Sequence, residues 1–323
     1  MVRKVLVTGA SGFIGANVCR RLSDRGYEVY SLMYEGKKPD GTKRLNGDIT
    51  ERNSLTFPDI DDVVHCAGIL ESSHPTREMM WKVNYNGTVN VWKESKRAGA
   101  KHFVFMSTIM VYGPNGTLKR PLKESMEPDP KDTYGKTKLS CERFLRKESS
   151  KGGPHVCVLR PPVIYGPGMN DNSSGMKTFL SVKKGIIPLV KDGDTVYNML
   201  YVDNMVQAIL LALENRESYE VYNINEGPYT LKEVISEISK QMGKEKGYKR
   251  YPKMVLWLIT LLSSINSRLF KGPPLMSWTK YVGLTSDVWN MDFEKAKKKL
   301  NYRPRIDLQE GIRRTLEYYG WEE

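Results

Sequence analysis

The sequence predicts an α/β fold: a doubly wound parallel sheet with a smaller, discontinuous C-terminal unit. Three observations carry this. Short apolar runs alternate with longer helical patterns through the first half. Runs such as VVHCA (63–67) and FVFMS (103–107) are apolar at successive positions, as strands covered on both faces require. The Pro/Gly-rich stretch PPVIYGPG (161–168) then breaks the alternation. In order, the pattern gives a strand over 4–8, a helix from Phe13, a strand over 28–33 and a strand over 62–67. A helix over 77–97, a strand over 102–107, a helix over 133–147 and a strand over 155–160 follow. After the break, a strand and helix over 196–213 and a strand over 221–224 read as a return to the main sheet. This divides the chain into a dinucleotide-binding unit, 1–165 with 195–226, and a substrate-binding unit, 166–194 with 227–323.

A chain of 323 residues can bury a substantial core. Its four cysteines, Cys19, Cys66, Cys141 and Cys157, show neither CxxC pairing nor histidines at ligand spacing, so they read as thiols in a reducing compartment, with no metal site expected. The first residues are charged and then strand-like, without the apolar segment of a signal peptide, so a cytoplasmic protein is expected. The net charge is +13, and residues 240–303 hold fourteen Lys/Arg against four Asp/Glu. The basic residues are spread over several elements with no recognition module, which argues against nucleic acid as the partner.

The segment TGASGFIG (8–15) joins the first strand to the first helix and places glycines at 9, 12 and 15. Gly9 permits a tight turn, Gly12 lets backbone approach a pyrophosphate, and Gly15 allows close helix–strand packing. The helix N-terminus supplies free N–H groups and the positive end of its dipole, completing a Rossmann-type dinucleotide site. Downstream, Tyr134 and Lys138 stand four apart on one helix face. A tyrosine of pKa near 10 is a poor base at neutral pH, but a nearby ammonium and a cationic cofactor ring favour the phenolate. That makes proton exchange with a substrate hydroxyl feasible. Thr108 follows the 102–107 strand, at the carboxyl end where ligands of open sheets bind.

With GDI (47–49), HCAG (65–68), NYNGT (84–88), YGKTK (134–138) and RPPVIYGP (160–167) in this order, the chain resembles the extended short-chain dehydrogenases/reductases over nearly its whole length, ending in WNMD (289–292) and a helix over 308–319. The resemblance implies an NAD(P) cofactor held by Gly9, Ser11, Gly12, Phe13, Ile14 and Gly15. It puts Asp48 and Ile49 beside the adenine, Ala67 and Gly68 along the cofactor, and Asn84 near the nicotinamide ribose. Tyr134, Lys138, Pro161 and Val163 complete the contacts. The plainer readings are a loop-capping carboxylate for Asp48 and a helix-surface amide for Asn84. The family's catalytic Ser/Thr, five residues before the Gly of VYG, falls on Thr108, with Ser107 as runner-up; turn capping is the plain reading of both. A homodimer through the helices around 84–97 and 133–147 is also implied.

An NAD site usually ends its second strand in a carboxylate, but Met33 stands there, and Lys37 and Lys38 follow, which points toward NADP(H); Glu35 is the counter-candidate. Two substrate classes compete: apolar secondary alcohols of the 3β-hydroxysteroid type and nucleotide-sugars undergoing 4-epimerisation or dehydration. Nucleotide-sugar enzymes of this kind clamp a diphosphate with two arginines. Here Tyr197 and Leu284 occupy those positions, which favours hydride exchange with an apolar or lipid-like small molecule. The segment 253–270 puts Val255, Leu258, Leu262, Ile265 and Leu269 on one helical face and Thr260, Ser263, Ser264 and Ser267 on another. It reads either as a packed helix or as a lip that touches an apolar substrate or a membrane surface peripherally. A regulatory protein that keeps the fold without turnover is the third class, opposed by the intact Thr108, Tyr134 and Lys138.

Overall fold

The strands of the computed structural model, which describes residues 2–70, 75–185, 187–189, 193–214, 217–244, 248–270 and 278–322, are numbered in chain order. They are β1 (Lys4–Thr8), β2 (Glu28–Met33), β3 (Lys43–Asn46), β4 (Asp62–His65), β5 (His102–Met106), β6 (His155–Arg160), β7 (Val163–Tyr165), β8 (Ile187–Leu189), β9 (Met199–Tyr201), β10 (Tyr219–Asn223) and β11 (Tyr248–Arg250). The helices are α1 (Phe13–Asp24), α2 (Arg77–Met80), α3 (Gly87–Arg97), α4 (Thr133–Ser149), α5 (Ser174–Lys183), α6 (Val202–Ala212), α7 (Leu231–Gln241), α8 (Lys253–Phe270), α9 (Trp278–Thr285), α10 (Glu294–Lys299) and α11 (Leu308–Tyr319).

Seven strands form a parallel sheet in the order β10-β6-β5-β4-β1-β2-β3. The chain winds outward from β1 in one direction to β3, then from β4 in the other to β10, so the order reverses between β1 and β4. Ligands of open sheets bind above such a point. Successive residues of β1 serve opposite layers: Val5 and Val7 belong to the core cluster that holds Val18 of α1 and Ile209 of α6, while Leu6 belongs to the cluster that holds Trp92 of α3 and Leu145 of α4. A strand buried on both faces cannot alternate polar and apolar residues, which is why the sequence runs there are continuously apolar.

The structure differs from the sequence expectation in three places. β3 was not expected: its residues KRLN are mostly exposed, and Lys43 pairs with Glu28 at 2.9 Å, as befits a charged edge strand. The stretch 196–213 returns only in part. β9 pairs with β7 in a separate two-stranded sheet, and the strand that joins the main sheet is β10, beside β6. Finally, the helix expected over 77–97 contains a π-helical turn, Trp81–Asn86, between α2 and α3.

Candidate functional site

The glycine loop is shaped by contacts that no side chain could share. Gly9 has φ +65°, and a Cβ on it would lie 2.8 Å from the backbone of Ala67; one on Gly15 would overlap the carbonyl oxygen of Gly9. A Cβ on Gly12 would meet only the Gly9 carbonyl oxygen, at 3.2 Å. No side chain caps α1, whose N-cap is Gly12. Its N-terminus therefore presents backbone N–H groups and positive dipole beside the exposed Ser11 and half-buried Phe13 and Ile14. The Pro161–Gly168 loop borders it: Asn17 donates to the Pro167 carbonyl at 3.4 Å, and Pro161 accepts from the Ile109 N–H at 2.9 Å. Val163 is half-buried and Pro161 buried.

Between the ends of β1 and β4 runs a chain of hydrogen bonds that sequence reasoning did not single out. Thr88 donates to the Asn84 carbonyl (2.6 Å) and so must accept from His65 Nε2 (2.9 Å). His65 Nδ1 is then the acceptor for the Thr8 hydroxyl (2.7 Å), whose oxygen accepts the Ala67 N–H (3.2 Å). The imidazole is thus held neutral with its proton on Nε2. Burial, and next the charge of Lys138, push it down to about 3. The relay fixes the backbone that leads into Ala67 and Gly68. Asn84 completes the clamp: it is buried, accepts from the Ile69 N–H (2.8 Å), and donates to the Ile69 carbonyl (3.1 Å) and to Thr137 (3.2 Å). It is an internal tie rather than a surface amide. A Cβ on Gly68 would lie 3.1 Å from Asn84 Oδ1 and 3.4 Å from Lys138 Nζ, so Gly68, Asn84 and Lys138 converge.

Lys138 is buried on α4, donates to the Met106 carbonyl at 2.8 Å, and sits 4.9 Å from the Phe105 ring and 5.9 Å from that of Tyr134. Burial lowers its pKa, opposed by nearby Cys141, Cys66 and Glu142. Tyr134, half-buried on the first turn of the same helix, is raised by burial and then by Asp132, the N-cap of α4. The protein's own groups therefore favour the neutral phenol.

The two hydroxyls after β5 have different fates. Ser107 donates to Glu142 Oε1 at 2.5 Å, and Glu142 also accepts from Arg160 Nε (3.0 Å) and Nη2 (2.5 Å). All three are buried, and the guanidinium lies 4.7 Å from the Tyr112 ring. Ser107 is committed to this ion pair. Among the described residues, Thr108 Oγ1 accepts from the Met110 N–H alone, at 3.2 Å, capping the short turn Ile109–Tyr112, which leaves its own proton to donate.

At the adenine end, Asp48 Oδ1 accepts from the Thr50 N–H (2.8 Å), and Ile49 lies against Gly87. Met33 is buried, the Glu35 carbonyl accepts from Ser11 (3.0 Å), Lys38 donates to the Thr42 carbonyl (2.8 Å), and Lys37 is exposed.

The segments that hold Tyr197 and Leu284 come together. The Thr195 hydroxyl donates to the Leu284 carbonyl (3.4 Å), and the Val196 N–H donates to Asp287 Oδ1 (2.8 Å). Tyr197 shares a 2.9 Å hydrogen bond with Thr178.

Together, the reversal of strand order under a glycine loop and a Tyr-x-x-x-Lys helix define a dinucleotide-dependent α/β enzyme of the extended short-chain dehydrogenase/reductase type. A family model described as the NAD dependent epimerase/dehydratase family matches residues 5–225, and the chain belongs to that family. It is 28% identical over 345 residues to a 3 beta-hydroxysteroid dehydrogenase/Delta 5-->4-isomerase of Mycobacterium tuberculosis, covering 98% of this chain and 90% of that one. It is 25% identical over 330 residues to a UDP-glucose 4-epimerase of Vibrio cholerae, covering 99% and 96%. Among solved structures it resembles the UDP-glucose 4-epimerase of Thermotoga maritima with UDP-glucose, with a TM-score of 0.78, 26% identity and 98% of each chain covered.

Proposed function

We propose that this protein is an NAD(P)-dependent dehydrogenase or reductase that exchanges hydride with a secondary alcohol or ketone of an apolar, lipid-like small molecule. The observation that carries the substrate class is the meeting of 195–197 with 284–287. Where two arginines would clamp a diphosphate, this chain has Tyr197, Leu284 and the carboxylate of Asp287. On this reading residues 1–165 with 195–226 bind the cofactor, and 166–194 with 227–323 bind the substrate.

The residues present fit a dinucleotide. Gly9, Ser11, Gly12, Phe13, Ile14 and Gly15 would hold the pyrophosphate at the uncapped N-terminus of α1, with Asp48 and Ile49 at the adenine and Ala67, Gly68, Pro161 and Val163 along its length. A bound nicotinamide supplies or accepts the hydride and, when oxidised, adds a positive charge. Tyr134 transfers the proton to or from the substrate oxygen, Thr108 donates a hydrogen bond to that oxygen, and Lys138 would help hold the cofactor. Asn84 acts through the Ile69 backbone. The pKa directions support a need for that added charge, because burial alone leaves Tyr134 a poor base. NADP(H) is the proposed form, resting on Met33 and Lys37, since Lys38 is engaged with its own loop. A homodimer through α3 and α4, and a cytoplasmic protein peripheral to a membrane, complete the reading.

The test is turnover of purified protein with NADP(H) and NAD(H) against 3β-hydroxysteroids, hydrophobic ketones and UDP-hexoses. Oxidation or reduction of the apolar set is expected, with NADP(H) bound more tightly. The second reading, 4-epimerisation, is favoured by the likeness to the Thermotoga enzyme, and interconversion of UDP-glucose and UDP-galactose would install it in place of the first.

A further inference from the structure

The amphipathicity of α8 is turned outward. Leu256 and Thr260 are buried and Ser263 and Ser264 half-buried, whereas Met254, Trp257, Leu258, Leu262 and Ile265 are 40 to 70% exposed. The side chains of Ser267 and Leu269 lie outside the described residues. Small polar groups can face the protein because they are satisfied within the helix: Thr260 donates to the Leu256 carbonyl (2.7 Å) and Ser264 to that of Thr260 (2.8 Å). The exposed residues, three and four apart, form one stripe along the helix. α9, which packs on α8, adds the exposed Trp278, edge-on to Tyr281 at 5.7 Å.

Along the sequence, the charge that flanks this stripe has one sign. Residues 246–286 contain seven Lys/Arg (Lys246, Lys249, Arg250, Lys253, Arg268, Lys271 and Lys280) and no Asp or Glu. A second copy seated here across a two-fold axis would bring two such basic segments of sequence together, a like-charge pairing. Nucleic acid would match the charge but not a stripe of aliphatic side chains and tryptophan. An anionic bilayer matches both: apolar side chains enter the headgroup–acyl boundary, tryptophan rests at that level, and flanking cations meet lipid phosphates. No helix among the described residues is long and apolar enough to cross a membrane, so the contact is in the interface plane.

We propose that the outward face of α8, with Trp278, is a docking surface for an anionic lipid bilayer. This rests on the peripheral-membrane reading above and names its surface and its lipid chemistry. The full chain should sediment with vesicles containing phosphatidylglycerol and not with pure phosphatidylcholine, its tryptophan emission shifting to the blue, and high salt should release it. Leu258→Glu and Leu262→Glu together should weaken vesicle binding on the order of tenfold or more while melting temperature and cofactor binding stay unchanged. Lys253→Glu should weaken it by a few-fold, and only at low salt. Absence of binding to anionic vesicles at low salt, or binding indifferent to the double variant, overturns the proposal. So does a double variant that changes oligomeric state instead, since that assigns the face to a second copy. Turnover of a water-soluble ketone, measured on the same samples, separates this outcome from failure of the substrate reading.

Discussion

The carboxyl edge of the sheet and α8 solve opposite problems. Above β1 and β4, polar side chains lie inside and nearly every group meets a partner: Thr8, His65, Thr88 and Asn84 form one relay, and Ser107, Glu142 and Arg160 another. On α8 Met254, Trp257, Leu258, Leu262 and Ile265 lie outside, in solvent. In the first region a substitution breaks something the fold depends on. In the second, the fold has little to lose, and a change there reports on whatever the face touches.

The comparison can be broken most severely at Tyr134. Tyr134→Phe should lower turnover by roughly 100- to 10,000-fold with cofactor affinity unchanged, read by steady-state kinetics and fluorescence titration. Full activity would remove the tyrosine from the chemistry. Glu142→Ala leaves the buried Arg160 guanidinium without its partner and should cost about 3–5 kcal/mol in urea unfolding, whereas Leu262→Glu should change stability by about 0.5 kcal/mol or less. Equal losses would erase the contrast between the two regions.

His65 sharpens it through pH. Its folded pKa of about 3 lies below its ordinary 6.5, so the unfolded chain binds the proton first. The stability it contributes is present above pH 6.5 and falls by roughly 1.4 kcal/mol per unit as the pH drops toward 3. His65→Gln should flatten that slope in melting curves taken across the range. Glu226 acts with the opposite sign. Burial, the largest influence, raises it to about 7, although it accepts from the Tyr201 N–H (2.8 Å) and Asn204 (2.7 Å). Its contribution is complete below its ordinary 4.5 and is lost as pH rises through about 7, so Glu226→Gln should be near neutral at pH 4 and stabilising at pH 8. The smallest effect is expected at Lys37, where replacement by Ala should weaken NADP(H) binding by a few-fold, consistent with one exposed charge.

Much of this was legible in the sequence because it depends on local pattern. Strands such as β1 and β5 are read from apolar continuity, and Gly9 and Gly15 from the strand-to-helix junction they must occupy. The preference for Thr108 over Ser107 rests on family spacing; the sequence does not show that Ser107 is committed to Glu142, thirty-five positions away. Partners so distant along the chain leave no periodic trace, which is why the Glu142–Arg160 pair, eighteen apart, and the His65 relay are not legible in the sequence, although His65 stands in the HCAG motif. β3 was hidden because a charged edge strand lacks the apolar run that marks its neighbours. For α8 the separation of Leu258, Leu262 and Ile265 from Thr260, Ser263 and Ser264 agrees with the structure, whereas Val255, expected on the apolar face, is half-buried and Ser267 and Leu269 lie outside the described side chains; periodicity alone does not say which face meets the protein.

The π-helical turn at Trp81–Asn86 has a consequence of another kind. Its i→i+5 rings hold one residue more than the α-helical ones on either side. Loss of a single codon there would repair the helix into regular α geometry and rotate α2 by about 100° relative to α3. Asn84 could no longer keep both of its bonds to Ile69. A deletion that makes the helix more ideal would thereby dismantle the clamp beside Gly68 and Lys138. An in-frame deletion within 81–86 is accordingly a mutation whose product folds its helix well and loses its site.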